Sequence, residues 1–395
     1  HETYLWYDEV PDINPTTYSV LGYFEALKTP ETTASGKDKD QFHFTRDTAE
    51  YIEQSQAGVT LGYGIEWSAT SSSPPRSYTV AFTENNTPAE SANIPRGAEL
   101  IEVDGVDFVN GSDVDTLNRA LFPEEGSGSH NFKFKLLNGE ELSVSMTPVA
   151  FETEFVRKTD IIETDTGKVG YMQFNSFQRT AQTPLINAFT QFKNEGVNDL
   201  VLDLRYNGGG LLALAAQISY MISGSNLGDS WFYNQIQNDK IPAGSPTPYY
   251  SVEIDYTAGL LTDNDLPTLN LNRVFILTTD NTCSASEAIM NGLLGSGIEV
   301  IQIGGTTCGK PYGFLPQDNC GTTYFTVQFK GINSQGFGDY ADGFSAINTL
   351  NPLADTNALI EGCDVEDDFA NPLGSVDEAQ FAAALNYRNN NTCPA

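Results

Sequence analysis

The stretch Asn281–Lys310 reads NTCSASEAIMNGLLGSGIEVIQIGGTTCGK and decides the fold of the second half of the chain. Its polar start and the apolar run that follows predict a helix that begins at Ala285 and ends near Leu294. The β-branched run IEVIQI then predicts a buried strand, followed by a glycine-flanked turn that ends at Lys310. Strands, turns and helices joined by short connections indicate an α/β domain.

The same alternation of strands and helices extends outward from this stretch. Strands are predicted at KVGYMQF (Lys168–Phe174), at DLVLDLR (Asp199–Arg205) and at RVFILTTD just before Asn281. Helices are predicted at Pro184–Glu195, at Leu211–Ile222 and in the C-terminal VDEAQFAAALNY. Residues 150–395 are therefore predicted to form one α/β domain with short crossovers.

The first 149 residues divide into two predicted units. Residues 1–56 carry helical spacing at Tyr18, Leu21 and Leu27, which indicates a small, mostly helical N-terminal unit. Residues 57–149 contain alternating, strand-like segments, an Asp-Gly turn at the end of GAELIEVDG and an Asn-Gly hairpin turn. With a short helix predicted at Asp113–Phe122, this segment is expected to be a small β-rich domain.

Composition and charge narrow the range of functions. A hydrophobic content of 39% and an aromatic content of 11% are typical of a folded globular protein. The formal charge of −32 suits a salty or extracellular setting and argues against a nucleic-acid partner, because it repels phosphate backbones. No apolar run reaches the roughly 18 residues that a membrane-spanning helix needs. The chain begins without a basic and apolar leader, so we expect that an export signal has been removed.

The five cysteines include no CxxC pair, which argues against a zinc site. Cys308 and Cys320 flank a turn-rich segment, so we expect them to form a disulfide. A second disulfide is expected between Cys363 and Cys393, where it would tie down the C-terminus. Cys283 then remains unpaired and buried, and the two disulfides indicate an oxidising compartment.

The distribution of histidines and lysines limits the chemistry of residues 150–395. Histidine occurs only at positions 1, 43 and 130, so a Ser-His-Asp triad is excluded unless another domain supplies the histidine. After Ser284 the chain has two lysines, and Lys330 ends a strand-like segment in the manner of a surface cation. Lys310 follows the turn GGTTCG. A lysine whose pKa is lowered by burial can act as the base for a serine nucleophile.

Ser284 has two interpretations. With Glu287 it has the spacing of a capping box, in which both side chains satisfy backbone donors at a helix start. A serine at a helix N-terminus also lies where backbone N–H groups favour developing negative charge, as a nucleophile requires. Ser286 is the alternative nucleophile.

The glycine run Gly208–Gly210 follows a strand and opens a helix. Its spacing differs from that of nucleotide-binding loops, so phosphate binding is a poor fit. A backbone N–H of Gly208 or Gly209 would be able to form an oxyanion hole together with the amide of Ala285. A plain strand-to-helix turn is the alternative.

Residues 57–149 resemble a PDZ domain in the circularly permuted form found in bacterial proteases. The resemblance lies in LGYGI (Leu61–Ile65) and in ANIPRGAELIEVDGVDF (Ala92–Phe108). PDZ domains add an extended peptide as a strand and hold its C-terminal carboxylate on backbone N–H groups. The resemblance implies a carboxylate-binding loop formed by Leu61, Gly62, Tyr63, Gly64 and Ile65. The alternative is that the two glycines serve only a tight turn.

Three motifs follow this PDZ-like segment in the order VLDLRYNGGG (Val201–Gly210), TCSASE (Thr282–Glu287) and GGTTCGK (Gly304–Lys310). With FHFTRDT before the segment and YADGF near the end, nearly the whole chain resembles the C-terminal-processing (tail-specific) serine peptidases. The resemblance implies a ClpP/crotonase-like α/β protease core. It also implies that Ser284 is the nucleophile and Lys310 the base. The implied oxyanion donors are Ala285 and the glycine turn, at Gly208 or Gly209.

Two departures from the family leave open which residue orients Lys310. Members often carry an Asp about eleven residues after the serine, where this chain has Leu294-Gly295-Ser296. Others carry a Gln four residues after the lysine, where this chain has Phe314. Gln317 is nearby but out of register.

The resemblance implies an exported serine endopeptidase, periplasmic, anchored to the cell envelope or extracellular. It would act without a cofactor or metal on proteins or peptides with free C-termini. One alternative is an inactive, peptide-binding homologue that serves as a scaffold or chaperone. The other is a crotonase-like acyl-CoA enzyme, and the acidic charge without a basic cluster argues against coenzyme A binding.

Overall fold

The structure is a computed structural model that describes residues 2–348 and 358–394. The chain divides into two compact units. The first comprises His1–Gln56, Phe155–Asp367 and Ala379–Ala395, and the second comprises Ala57–Glu154 and Asp368–Glu378. The predicted α/β, multidomain class is confirmed.

The helices are α1 Val20–Ala26, α2 Thr48–Ala57, α3 Pro88–Ser91, α4 Val114–Leu121, α5 Gln182–Glu195, α6 Leu212–Ser223, α7 Ala285–Gly295 and α8 Ala379–Asn390. The strands are β1 Phe44–Asp47, β2 Val59–Gly62, β3 Ile65–Ser71, β4 Ser77–Thr83, β5 Glu99–Val103, β6 Val106–Asp107, β7 His130–Lys135, β8 Glu141–Met146, β9 Val149–Glu152, β10 Val156–Thr164, β11 Gly167–Phe174, β12 Val197–Asp203, β13 Asn234–Gln237, β14 Val252–Asp255, β15 Leu260–Asp265, β16 Arg273–Thr278, β17 Glu299–Gly304, β18 Tyr312–Gly313, β19 Gln317–Asn319, β20 Thr322–Phe325, β21 Phe329–Ile332, β22 Ser345–Ala346, β23 Leu359–Ile360 and β24 Gly362–Cys363. None of the described helices combines the length and the apolar character needed to cross a membrane.

A six-stranded sheet in the order β10-β11-β12-β16-β17-β24 forms the centre of the first unit. β10 runs antiparallel to β11, and the other neighbours are parallel. Alternate residues of β11 serve opposite faces. Met172 and Phe174 pack in a core with α5, α6 and α7, whereas Val169 and Tyr171 pack in a core with Phe381 of α8. Because both faces are covered, the central strands carry almost continuous apolar runs.

The sequence had predicted that the N-terminal residues form a separate unit. In the structure these residues belong to the first unit. α1 covers the predicted helical spacing, but β1 pairs antiparallel with β20, with Phe44 opposite Phe325. Tyr4 and Trp6 are buried in a cluster with Val327. These contacts are made with residues far away in the sequence, so local periodicity carries no sign of them.

The second unit contains the predicted strands, short helix and hairpin. Its main sheet has the order β3-β4-β5-β7-β8, so β3 lies at an edge. The Asp113 side chain caps α4 by accepting the Thr116 N–H at 3.1 Å. The unit also includes residues 368–378, which the sequence had assigned to the α/β domain. The Arg96 guanidinium holds this segment by donating to the Asp368 carbonyl at 3.1 Å.

Candidate active site

The loops that carry the three sequence motifs lie at one edge of the central sheet. They follow the carboxyl ends of the neighbouring parallel strands β12, β16 and β17. β12 leads into the glycine turn before α6, β16 leads into Ser284 before α7, and β17 leads into the turn that ends at Lys310. Open parallel sheets bind their ligands at this edge, and its topology brings together motifs that are far apart in the sequence.

Ser284 has a strained backbone conformation at the N-terminus of α7. Its φ is 59° and its ψ is −110°. The helix-capping residues Ser19 and Thr87 of this chain have ordinary extended conformations, with ψ values of 166° and 165°. Positive φ at a non-glycine residue is costly and is found at active sites, including the nucleophile turn before a helix. The bond from the Ser284 N–H to Glu287 that a capping box requires is present, so both interpretations of Ser284 stand, and the strained backbone is a feature that a plain cap does not need.

The glycine turn packs directly against Ser284. The Asn207 carbonyl accepts hydrogen bonds from the Cys283 N–H at 3.1 Å and from the Ser286 hydroxyl at 3.0 Å. A Cβ at Gly209 would lie 2.7 Å from Ser284 Cβ, and the φ of Gly209 is +103°, so this position requires glycine. The turn forms part of the wall around the serine. The buried hydroxyl of Ser286 is engaged in holding it.

The predicted oxyanion donors differ in whether their N–H groups already have an acceptor. The N–H of Gly209 donates to Asn207 Oδ1 at 2.9 Å, so this donor is used inside the turn, contrary to its predicted role. Gly208 is exposed, and a Cβ there would meet no atom within 4 Å. The N–H of Ala285 lies in the first turn of α7, where amides have no intrahelical acceptor. Gly208 and Ala285 thus remain the candidate donors.

A buried ion-pair network holds the chain that leads from β12 into the glycine turn. The fully buried Arg205 donates to both carboxylate oxygens of Asp203, at 3.0 and 2.6 Å, and to Asp367 at 2.9 Å. The Tyr171 hydroxyl donates to Asp203 at 2.6 Å. Burial alone would raise the pKa of Asp203, but the charge of Arg205 and these hydrogen bonds outweigh it and lower the pKa. A satisfied network of this kind fixes the loop in one conformation.

Lys310 and Ser284 line the same pocket. Burial lowers the pKa of Lys310 to about 8, although the negative charges of Glu287 and Asp40 act in the opposite direction. Lys330, by contrast, forms an ion pair at the surface. A lysine with a pKa of about 8 is substantially neutral at mildly basic pH and can accept a proton.

Glu287 connects the segment of Ser284 to the segment of Lys310. Its buried carboxylate accepts hydrogen bonds from the N–H groups of Ser284, Gly309 and Lys310 at 3.0, 2.8 and 2.8 Å, and from the Thr307 hydroxyl at 2.6 Å. Burial raises the pKa of Glu287, and the four donors counteract the rise. The sequence indicated only the bond to Ser284, as half of a capping box.

The motif YADGF supports the turn that ends at Lys310. A Cβ at Gly343 would lie 2.1 Å from the Thr307 carbonyl oxygen, and a Cβ at Gly309 would lie 2.3 Å from the Ala341 carbonyl oxygen. The Phe344 N–H donates to the Thr307 hydroxyl at 2.7 Å. The two backbones approach so closely that each needs a glycine at the contact.

The structure corrects the predicted cysteine pairing. Cys363 and Cys393 form the predicted disulfide, but Cys308 is bonded to Cys283, and Cys320 is free and exposed. Because β16 and β17 are neighbours, the turns after them bring the Cα atoms of Cys283 and Cys308 to 5.2 Å. This disulfide joins the residue before Ser284 to a residue in the turn that ends at Lys310.

Cys283, Glu287 and Cys308 bring three ligand-type atoms within 4.8 Å of one another. The two sulfur atoms are bonded to each other. Each carboxylate oxygen of Glu287 already accepts two hydrogen bonds. Metal binding needs free thiolates and free lone pairs, so this cluster does not fit a metal ion in its disulfide form.

The predicted carboxylate-binding loop connects β2 to the edge strand β3. It contains Leu61, Gly62, Tyr63, Gly64 and Ile65. The ring of Tyr63 is buried in the core of the second unit. Gly64 has a φ of +79°, and a Cβ there would lie 2.3 Å from Thr87 Oγ1. Close packing on Thr87 explains this glycine without a ligand, so the binding role of the loop stays a prediction.

The other polar residues singled out by the sequence have structural positions. Nδ1 of His130 lies 2.6 Å from Asp104, and Nε2 of His43 lies 2.9 Å from the Phe24 carbonyl oxygen. His1 lies outside the described residues. Gln317 is exposed on β19. No described histidine lines the pocket of Ser284.

In comparisons with known proteins, part of the chain matches one peptidase family. Residues 168–318 match the model of peptidase family S41. The chain is 24% identical over 234 residues to carboxyl-terminal-processing peptidase 3, chloroplastic, of Arabidopsis thaliana, which covers 57% of the chain and 41% of the relative. It is 26% identical over 235 residues to the carboxy-terminal processing protease CtpA of Bacillus subtilis, which covers 57% of the chain and 42% of the relative. The aligned part therefore spans less than half of the length of these two relatives.

A solved structure shows the same fold over the whole chain. A candidate S41 protease from Bacteroides fragilis NCTC 9343 has a TM-score of 0.67 and 20% identity, and the match covers 99% of this chain and 96% of that chain. The residues that match the family model include Ser284 and Lys310. The predicted resemblance to the C-terminal-processing peptidases is confirmed.

We expect the disulfide between Cys283 and Cys308 to hold Ser284 and Lys310 in fixed positions relative to each other. The double variant Cys283→Ala/Cys308→Ala should react with a fluorophosphonate serine probe about tenfold more slowly, since small displacements of reacting groups are costly. The matched control is Cys363→Ala/Cys393→Ala, which removes the disulfide outside the pocket and should keep the original rate. Labelling rates of the two folded variants are compared, and equal rates would contradict the expected role.

Proposed function

We propose that the chain is an exported serine endopeptidase that cleaves proteins or peptides near their C-terminus. The observation that carries this proposal is the pocket shared by Ser284 and Lys310. Ser284 is held in a strained turn at a helix N-terminus, and burial lowers the pKa of Lys310 to about 8. Such a pair provides a nucleophile and a base without a histidine.

In the proposed mechanism, the neutral amine of Lys310 accepts the proton of Ser284 Oγ as this oxygen attacks the scissile carbonyl carbon. The N–H groups of Ala285 and Gly208 stabilise the negative charge that develops on the carbonyl oxygen. Collapse of the tetrahedral intermediate breaks the C–N bond, and the Lys310 ammonium returns the proton to the leaving amine. Water then hydrolyses the acyl-enzyme by the same proton transfers.

The walls of the pocket support an apolar substrate side chain beside the scissile bond. In addition to Ser284 and Lys310, the pocket is lined by the apolar side chains of Leu212, Phe232, Tyr233, Ala288, Phe329 and Tyr340. A charged side chain would lose its hydration there. An acidic side chain would also pair with Lys310 and raise its pKa, which would leave a smaller fraction of the lysine neutral at a given pH.

The second unit supports the capture of a chain end. β3 is an edge strand, so its outer backbone groups are able to pair with an extended peptide. The loop of Tyr63 and Gly64 directly precedes this strand, at the carboxylate-binding position of a PDZ domain. We infer that the substrates are proteins or peptides with free C-termini.

Export is supported by two features. The chain has two disulfides, which persist in oxidising compartments. The relatives include a chloroplastic peptidase and a bacterial processing protease. We infer a periplasmic, envelope-anchored or extracellular location.

Replacement of the dyad tests the proposed chemistry. Ser284→Ala and Lys310→Ala should each lower kcat for peptide cleavage by at least about a thousandfold, because each removes a reacting group. Lys330→Ala removes a surface lysine and should keep kcat. Cleavage assays and thermal unfolding curves give the comparison, and undiminished cleavage by folded Ser284→Ala would overturn the assignment.

A serine probe separates the remaining alternatives. Ser286→Ala should still be labelled, because the Ser286 hydroxyl is buried and donates to Asn207, whereas Ser284→Ala should not be labelled. If the unmodified chain is not labelled but binds peptides, the inactive scaffold or chaperone is favoured instead.

The activity should depend on pH through Lys310. The base must be neutral, so kcat/KM should rise with pH and level off above pH 8, the region of the Lys310 pKa. Below that region each pH unit should lower kcat/KM about tenfold. The profile is measured with an uncharged peptide, and circular dichroism at each pH excludes unfolding. A profile that does not change across pH 8 would rule out Lys310 as the base.

Recognition of a chain end predicts a preference between matched peptides. A peptide with a free C-terminus should have a lower KM than its amidated form, because backbone N–H groups of the PDZ-like loop would bind the carboxylate. An amidated peptide with one added internal Asp controls for net charge. Equal KM values for the free and amidated peptides would exclude carboxylate recognition while leaving the dyad untouched.

A further inference from the structure

The amine of Lys310 lies between two aromatic rings. Its Nζ is 4.3 Å from the centre of the Phe314 ring and 4.9 Å from the centre of the Phe42 ring. Within the described residues, this Nζ has no ion pair or hydrogen bond, whereas Lys39 and Lys330 pair with carboxylates. The amine thus lies against two ring faces and is not paired with a carboxylate.

Both rings are held in place by other aromatic side chains. Phe314 packs edge-on against Phe44 at 5.8 Å and against Phe325 at 5.2 Å. Phe44 and Phe325 are stacked at 4.4 Å across the β1–β20 pair. The Phe42 ring lies 6.2 Å from the ring of Tyr312. The rings around Lys310 thus have supported positions and are not loosely attached surface groups.

We propose that Phe42 and Phe314 form an aromatic clamp that positions Lys310 Nζ for proton transfer from Ser284. The inference rests on the proposed function of Ser284 and Lys310. Phe42 comes from the N-terminal segment, so this segment completes the active site. Phe42 and Phe314 are positioning residues, because they act on the substrate only through the lysine.

The clamp suits both protonation states of the amine. The rings exclude water, which favours the neutral form before the reaction. A ring face does not donate a proton to the amine, so the lone pair of Lys310 stays free for the Ser284 proton. When that proton moves, positive charge develops on Nζ, and the negative ring faces attract it. An attraction that is stronger in the transition state than in the ground state increases the rate.

Two carboxylates also act on Lys310. The negative charges of Glu287 on α7 and of Asp40 in the N-terminal segment raise its pKa. Their hydrogen bonds are made elsewhere. Glu287 accepts the Lys310 backbone N–H at 2.8 Å, and Asp40 accepts the Tyr4 hydroxyl at 2.6 Å and the Phe42 N–H at 3.1 Å. These charges influence the proton affinity of the amine, and the rings define its position.

Leucine variants test the clamp while keeping an apolar surface. Phe42→Leu and Phe314→Leu should each lower kcat about tenfold and leave KM nearly unchanged, because the developing ammonium loses a ring face. For the same reason, the acid limb of the pH profile of kcat/KM should move to lower pH. Phe42→Tyr and Phe314→Tyr keep the ring and should restore both values.

The matched control is Phe24→Leu. Phe24 is a half-buried ring of the N-terminal segment that stacks on His43, and its replacement should change neither kcat nor the acid limb. Normal kcat in the leucine variants, or a loss of kcat in the tyrosine variants equal to that in the leucine variants, would overturn the clamp. If a leucine variant fails to fold in thermal unfolding, a methionine variant at that position removes the ring in its place, and normal kcat in the methionine variant would overturn the clamp. Failure of the dyad itself is distinct, because Ser284→Ala and Lys310→Ala would then remain active.

Discussion

The buried carboxylate of Glu287 is the interaction on which the rest of the site depends. A carboxylate without water is tolerated only where hydrogen-bond donors replace its hydration. Here the donors come from both sides of the pocket: the N–H of Ser284 on one side, and the N–H of Lys310 with its turn on the other. The hydrogen bonds of one carboxylate therefore fix Ser284 and Lys310 relative to each other. The disulfide of Cys283 adds a covalent connection between the same two segments.

The strained and buried groups at this site cost folding free energy, and the well-packed core of the central sheet offsets that cost. Backbone strain such as that at Ser284 costs about 1–3 kcal/mol. Lys310 loses hydration on burial. Gly209, Gly309 and Gly343 lie so close to neighbouring atoms that a side chain at these positions would clash. The strands that hold these loops are buried on both faces, with helices packed on either side. The core stabilises the fold, and the strand ends carry the strained, reactive residues.

The α/β elements could be predicted because their signals are local. The apolar runs of the central strands and the glycine that follows α5 mark element boundaries in the sequence, and the structure has elements at these places. Lys310 could be singled out because histidine is absent from that half of the chain and few lysines follow Ser284, whereas the choice of Ser284 depended on the family resemblance. The structure adds the backbone strain at Ser284 and the lowered pKa of Lys310, neither of which can be read from the sequence.

Long-range contacts could not be predicted in the same way. Cys308 and Cys320 are close in the sequence, but the pairing partner of Cys308 was decided by the adjacency of β16 and β17. In the sequence Gly208 and Gly209 are equivalent candidates for an oxyanion donor. In the structure the N–H of Gly209 donates to the Asn207 side chain. The N-terminal segment appeared to be a separate unit, because pairing of β1 with β20 leaves no periodic pattern.

The proton affinity of Lys310 is a balance between opposing contributions from distant parts of the chain. The formal charge of the chain is −32, and Glu287 and Asp40 both favour the ammonium form. An ammonium cannot act as a base, so a strong contribution in the other direction is needed, and burial provides it. Phe42 and Phe314 provide part of this burial without introducing a further charge. Burial among apolar side chains thus lowers the pKa of Lys310 to about 8 in a strongly acidic chain. The attraction of the aromatic ring faces for the ammonium limits how far this pKa falls.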